Sequence, residues 1–408
     1  MSWLIDLIGG PVVVVALIKV LVAFVVMLLT TLIVIWMERK VIADMQSRVG
    51  PNRWGPFGLL QTLADGIKLF FKENFRPRTA DRWTYAIAPV AAMVPSLLAF
   101  AVVPIGPERV IGGQTVDFIV ADLNIGLLYF LAMGSIGVYG IALAGWSSGS
   151  KYPLLGAVRS TAQLISYEIA LGLSIVPIVL VAGSLSTVDV VTAQAGTVQD
   201  VEIFNGIPLL DQISQIFTYA PNWYIWSQWP AFLIFFIAGI AETNRAPFDL
   251  PEAESEIVAG FHTEYSGIRF ALFFLGEYVH LVIICAMTVT LFFGGWHGPS
   301  IGFLPWIWPL VWFTLKTGAF VYLFVWIRAT MPRLRYDRLM WLGWKRLIPA
   351  ALIWIMVTAV VNTEGLGQPV RLGVFGLLFV AALFYIGRGD PRLREAVVPQ
   401  RRLYRGTT

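Results

Sequence analysis

Between Glu242 and Tyr265 the chain reads ETNRAPFDLPEAESEIVAGFHTEY, which gathers six carboxylates (Glu242, Asp249, Glu252, Glu254, Glu256, Glu264) around one arginine, Arg245. Carboxylates this close in a partly desolvated site cannot all ionise, so they titrate together and exchange protons when a nearby charge changes. That is the chemistry of proton coupling. The plainer alternative is a solvated acidic loop, because blocks of charge usually belong to solvated segments. Two features weigh against it. Pro247, Phe248, Leu250, Ile257, Val258 and Phe261 interleave with the acids, as in a packed segment, and Glu242 continues the apolar run AFLIFFIAGIA into lipid depth. Within the loop, Asp249-Leu250-Pro251-Glu252 resembles a helix start, with Asp249 capping and Pro251 in the first turn. Glu252 and Glu256 would then share a face and Glu254 would turn away.

Other ionisable groups stand inside apolar segments: Glu168, Glu277 with His280, and Lys316. A charged group at bilayer depth costs a few kcal/mol even on the lenient insertion scale, so such residues point to function. The structural alternative is a carboxylate satisfied by a Ser, Tyr or Lys neighbour. Glu277 and His280 are three apart and share a helix face. Lys19 lies in the outer half of the first apolar segment, from which it can snorkel.

The elements that position these groups are membrane helices. Of 408 residues, 57% are hydrophobic and 13% charged, with mean hydropathy +0.74. This excludes a soluble domain and predicts an all-α polytopic membrane protein. One cysteine, Cys285, and three histidines, His262, His280 and His297, are too few for an iron–sulfur cluster or a multi-ligand metal cage. Arithmetic still permits a bis-histidine haem between facing helices. The chain shows no nucleotide-binding glycine loop, nucleophile elbow, zinc-type motif or matching hydrophobic halves, and nothing that suggests nucleic acid.

Nine segments have spanning length: 11–37, 85–104, 124–146, 162–183, 230–244, 270–293, 307–328, 346–361 and 371–387. The first lacks a basic leader and reads as a retained helix. Basic residues set the orientation. With the N-terminus outside, 25 of the 29 Lys and Arg fall in the inner segments 38–84, 147–161, 244–269, 328–346 and 388–408, as the positive-inside rule requires for N-out, C-in. The acidic loop is then an inner connector of the wrong sign. Residues 57–73 are too polar to span, and Leu59, Leu60, Leu63, Ile67, Phe70 and Phe71 recur at helical spacing. Such a helix lies in the interface plane, at its simplest as a surface anchor. The outer connector 184–229 carries four acids and no base and is expected to pack on the outer face. The tail after residue 388 is basic and suits an anionic leaflet.

Several strings carry a resemblance: Glu38-Arg39-Lys40 with QSRVGPN (46–52), ADGIK (64–68), Gly145-Trp146 to Lys151-Tyr152, Gln163 with ISYE (165–168), the 242–265 stretch, and RYDRLM (335–340) before Trp344-Lys345. Together, from about residue 10 to 361, they resemble the H-subunit family of bacterial NADH–quinone oxidoreductase (respiratory complex I), the counterpart of mitochondrial NADH dehydrogenase subunit one. AETNRAPFDLPEAESE is its most specific string. The resemblance implies a core at 1–361 with eight spanning helices, followed by an additional helix and basic tail in 362–408. It implies a multi-pass component of the bacterial cell membrane that walls a quinone tunnel and couples quinone reduction to proton pumping. The quinone, menaquinone or ubiquinone, is then substrate. NADH, FMN and iron–sulfur clusters belong to partner subunits, and no metal, flavin or haem to this chain. Implied partners are the hydrophilic-arm subunits, small membrane subunits, antiporter-like pumping subunits and the lipid bilayer. Carried over residue by residue, Glu38, Arg39, Asp65 and Arg245 line or gate the quinone path, with Leu63 and Phe248 beside them. Asp249, Glu252, Glu254 and Glu256 form the acidic loop, and Glu168, Glu242, Glu264 and Glu277 a carboxylate channel. Membrane-bound hydrogenases and deazaflavin-fed dehydrogenases use a homologous component and stand as the alternative. A proton-coupled secondary transporter is the rival from another class.

Overall fold

An unbroken apolar run of this length cannot stay in water, and it forms one 35-residue helix, α1 (Pro11–Met45). At 1.5 Å per residue α1 is about 52 Å long, well beyond the ~30 Å hydrocarbon core. Its last turns, with Glu38 and Arg39, therefore reach the membrane edge. The computed structural model describes residues 11–111, 114–196, 221–249, 258–299 and 306–362. After α1 come α2 (Gln61–Phe71), α3 (Arg82–Ala99), a short antiparallel hairpin β1 (Gly106–Ile111) and β2 (Gln114–Phe118), α4 (Gly126–Ser147), α5 (Lys151–Ala182) and α6 (Thr187–Thr192). Then follow α7 (Trp229–Glu242), α8 (Gly267–Phe292), α9 (Trp308–Thr330), α10 (Tyr336–Leu342) and α11 (Ile348–Asn362), the last two joined through a π-helical turn at Gly343–Leu347.

Among the described residues seven helices are long and apolar enough to cross a membrane, and α7 is an eighth, shorter apolar helix. The protein is an all-α polytopic membrane protein. The predicted ninth span at 371–387 and the basic tail lie outside the described residues. Leu17, Ile18, Leu21 and Leu29 of α1 are exposed, while Met27, Thr31, Val34 and Glu38 form its buried stripe. Large apolar side chains on the outside and a mixed stripe inside are what a lipid-facing helix requires.

α8 is the axis of the bundle. Every residue from Leu281 to Phe292 is buried, and α8 packs against α1, α3, α7 and α9. A helix apolar all round has no solvent face to offer, so it goes to the centre. α5 is the second hub, touching α4, α7 and α11. Gly140 lets α3 and α4 close tightly, since a Cβ there would run into the Ala92 backbone.

Helix ends differ from the hydropathy boundaries in a consistent way. α5 begins at Lys151 and not near 162, and α1 runs on to Met45, because hydropathy marks the lipid crossing while a helix continues into water. The interface helix is shorter than 57–73. Gly58 at φ 79° closes a 3-10 turn at Pro56–Gly58, and α2 starts only at Gln61.

Outside the site, two predicted features resolve into anchors. Lys316 Nζ donates to the carbonyls of Phe293 (2.7 Å), Gly295 (3.1 Å) and His297 (2.6 Å) just beyond α8. It thus uses all three of its donors on the C-terminal end of a helix, where a cation is favoured. Lys19 Nζ lies 3.8 Å from Asp117 Oδ2 of β2. In the described parts of the connector 184–229, buried Gln194 donates to Thr290 O (2.9 Å) and accepts from Tyr224 N (3.2 Å) and Gly294 N (3.0 Å).

Candidate functional site

α7 has 14 residues, about 21 Å of helix, too short for the ~30 Å core. The chain after Glu242 is thus non-helical at membrane depth. Such backbone survives only where protein satisfies it or where it borders a polar cavity. Both hold here. Gln163 of α5, fully buried, donates through Nε2 to Ala241 O (2.7 Å) and Phe248 O (2.8 Å) and so spans the loop. Pro247 O accepts from Leu334 N at 2.9 Å. Asn244 sits at φ 52°, a left-handed conformation that Asn tolerates better than most residues.

The loop delivers Arg245 into a buried cluster. Its Nη1 lies 3.3 Å from Glu38 Oε1 and 3.4 Å from the Tyr278 hydroxyl, and its guanidinium stacks 4.1 Å from the Tyr278 ring centroid. Its Nε is 2.5 Å from Glu277 Oε1; the pair is out of line for a hydrogen bond, so the contact is Coulombic. Glu38 also accepts from Arg328 at the end of α9. One buried carboxylate is thus held by two guanidiniums from different elements.

Beside this cluster opens a basin of about 400 Å³, lined by Glu38, Arg39, Arg48, Tyr278 and Arg328 with Ile42, Val49 and Pro51. Arg39 Nη1 meets Asp65 Oδ2 at 2.5 Å, tying α1 to α2, and Lys68 Nζ is 3.6 Å from the other oxygen. Partial burial raises the Asp65 carboxyl, but the hydrogen bond and charge of Arg39, with Lys68 beyond, outweigh it and hold the group below its usual range. The apolar side chains of α2, Leu63, Ile67, Phe70 and Phe71, are exposed.

A second space of about 80 Å³ lies deeper, bordered by α3, α4, α5, α7 and α8. Its polar lining is Glu168, Glu242, Glu277, His280, Thr243, Asn244 and Ser96. Glu168 accepts from Ser135 Oγ of α4, and Glu242 Oε1 is 3.3 Å from His280 Nε2. Glu242 Oε2 and Asn244 Oδ1 are buried with no protein hydrogen-bond partner. These polar groups converge in an otherwise apolar space that is roomy enough for water. Gly134 leaves the room for Glu242, since a Cβ there would stand 3.0 Å from Oε1.

Of the residues singled out in the sequence, the structure brings Glu38, Arg39, Asp65 and Arg245 to the basin cluster, and Glu168, Glu242 and Glu277 to the cavity. Glu277 belongs to both. Phe248 is buried with its ring 5.5 Å from that of Tyr167 and does not border the basin. Glu264 lies apart from the cavity, where its backbone carbonyl accepts from the Tyr85 hydroxyl at 2.7 Å. Asp249 is partly buried at the edge of the described chain. Glu252, Glu254, Glu256 and the helix start expected there lie outside the described residues. Sequence reasoning missed Arg328, counted only as a topology charge, as well as Tyr278 and Ser135. The one available sign was that Arg328 ends an apolar span.

The sequence profile of a family described as NADH dehydrogenase matches residues 18–359. The chain belongs to that family. Every NADH dehydrogenase-family position discussed above, from Glu38 to Arg328, falls within the match. Among curated relatives, an NADH-quinone oxidoreductase H subunit (numbered 1) of Geobacter metallireducens is 51% identical over 340 residues, covering 83% of this chain and 94% of the relative. An NADH-quinone oxidoreductase H subunit (numbered 2) of Geobacter sulfurreducens matches with the same identity and coverage.

Proposed function

We propose that this chain is the H subunit of a proton-translocating NADH–quinone oxidoreductase in the bacterial cell membrane, with its N-terminus outside and its C-terminus inside. In this reading residues 1–361 form the functional core. A quinone headgroup approaches from the hydrophilic arm into the basin beside Glu38, Arg39, Asp65 and Tyr278, with α2 and Leu63 along the path. Electrons come from NADH through flavin and iron–sulfur partners in that arm. Protons move on through Glu168, Glu242 and Glu277 towards small membrane subunits and antiporter-like partners. Phe248 supports the loop from behind, and Asp249, Glu252, Glu254, Glu256 and Glu264 extend its acidic side.

The observation that carries the reading is the double membership of Glu277. It sits 2.5 Å from Arg245 in the basin cluster and also lines the inner cavity. Reducing a quinone takes up two protons with two electrons, which changes charge at the basin. A unit charge about 8 Å away at an effective dielectric of ~20 is worth roughly 2 kcal/mol, or about 1.5 pH units of proton affinity. That is enough to move a proton within a group of coupled carboxylates. Arg245 is the element through which basin charge reaches Glu277.

The test is Glu242→Gln and Glu168→Gln in the assembled complex, with NADH-driven quinone reduction and proton uptake measured in sealed vesicles. Coupled pumping is expected to fall in both. Full pumping in both variants would refute the coupling.

A further inference from the structure

We propose that His280 is the proton-exchanging partner of Glu242, and that the two side chains form one unit that holds a single proton in either of two places. The inference rests on the coupling reading above and assigns a new residue to it. His280 Nε2 stands 3.3 Å from Glu242 Oε1, with side-chain exposures of 13% and 7%. That is just beyond the ~2.6–3.2 Å of direct proton transfer and within reach of a transfer through one water.

The neighbours decide why Glu242 is the carboxylate that pairs with His280. Glu277, on the same face of α8, is held by Arg245 at 2.5 Å. Glu168, from α5, is held by the Ser135 hydroxyl of α4. Glu242, from α7, has one oxygen facing His280 and the other without a protein partner. α3 contributes Ser96 as its polar lining residue, and the loop contributes Thr243 and Asn244. His280 is therefore the one base among the described residues that line the cavity.

In the exchange the Nε2–H bond breaks and an O–H bond forms on Glu242. Imidazolium becomes imidazole and carboxylate becomes carboxylic acid. The charge of the pair as a whole is unchanged, so the transfer avoids the desolvation cost of making a new charge at depth. A proton added or removed elsewhere in the cavity biases where the shared one sits.

The test compares His280→Gln, His280→Asn, Glu242→Gln and the His280→Gln/Glu242→Gln double variant in the assembled complex in sealed vesicles. Proton uptake per NADH-driven turnover is followed from about pH 5 to about pH 8. Rates are normalised to NADH oxidation by an artificial acceptor, so that assembly does not enter the comparison. Both His280 variants are expected to lose about tenfold or more in coupled pumping and to flatten its pH profile. The double variant is expected to be no slower than Glu242→Gln, because one shared proton can be lost only once. Two results overturn the unit: His280 variants with wild-type pumping and pH profile beside an impaired Glu242→Gln, or a double variant whose loss is the product of the single losses. In those cases the coupling reading stands. Wild-type pumping in Glu242→Gln overturns the unit, and wild-type pumping in Glu168→Gln as well overturns the coupling reading.

Discussion

Replacing Gln163 by leucine tests how the loop after α7 is held. The side chain is fully buried and donates to two backbone carbonyls, Ala241 O at 2.7 Å and Phe248 O at 2.8 Å. Leucine keeps most of the volume and removes both donors. Phe248 O is left without a partner, at about 1–3 kcal/mol, whereas Ala241 O still accepts from Asn244 N at 3.3 Å and loses one bond of two, worth roughly 0.5–1.5 kcal/mol. The substitution also removes Gln163 Oε1, itself without a partner, which returns on the order of 1–2 kcal/mol. The net is about 0.5–2.5 kcal/mol against the seated loop. At 1.4 kcal/mol per tenfold, local opening rises roughly 2- to 60-fold. Hydrogen exchange on the assembled complex reads this directly at Thr243–Phe248, and it should leave the centre of α8 unchanged. Gln163→Glu should open the loop further, because a carboxylate would face the same carbonyls. Exchange at 243–248 equal to wild type in both variants would refute the claim that Gln163 seats Arg245.

Other substitutions probe separate parts of the protein. Leu63→Trp places bulk on the exposed apolar face of α2 and is expected to raise the apparent KM for quinone and alter inhibitor sensitivity; unchanged steady-state kinetics would count against α2 as a wall of the path. Lys316→Met strands three carbonyl acceptors beyond α8 and should lower the thermal midpoint of the complex while leaving protons moved per electron unchanged, which separates an anchor from a relay. His262 lies against Phe261 and Phe270, with ring centroids at 4.9 and 5.4 Å, and burial pushes its imidazole down to about 4. That is below the ~6.5 of an unfolded chain, so the stability it contributes is complete above about pH 6.5 and is lost as pH falls towards 4. His262→Gln is therefore expected to flatten the pH dependence of the thermal midpoint across that window, and an unchanged slope would contradict the sign.

The chain by itself determined the architecture and the roll of candidate chemistry. Apolar runs of spanning length and the basic bias of their connectors are local quantities that lipid reads one segment at a time. Eight of the nine predicted spans correspond to described helices, α7 being the short one, and the ninth lies outside the described residues. The cost of charge at depth likewise marks Glu168, Glu242 and Glu277 without any knowledge of their neighbours. Tertiary packing alone decided which of these groups meet. Arg328 and Glu38 are 290 residues apart, and they pair because α1 packs against α9 and α8. Spacing on one helix predicts that Glu277 and His280 share a face, but not that this face looks towards Arg245 at one level and Glu242 at the next. Phe248 and Glu264 stand within the same acidic stretch as Glu242, yet one turns into the core against Tyr167 and the other away from the cavity. Lys316, conspicuous in sequence as a charge within a span, lies where three open carbonyls leave it no free donor. Local energies fix what each segment must do. Which side chain ends up beside which follows from how the helices close around α8, a property of the whole bundle.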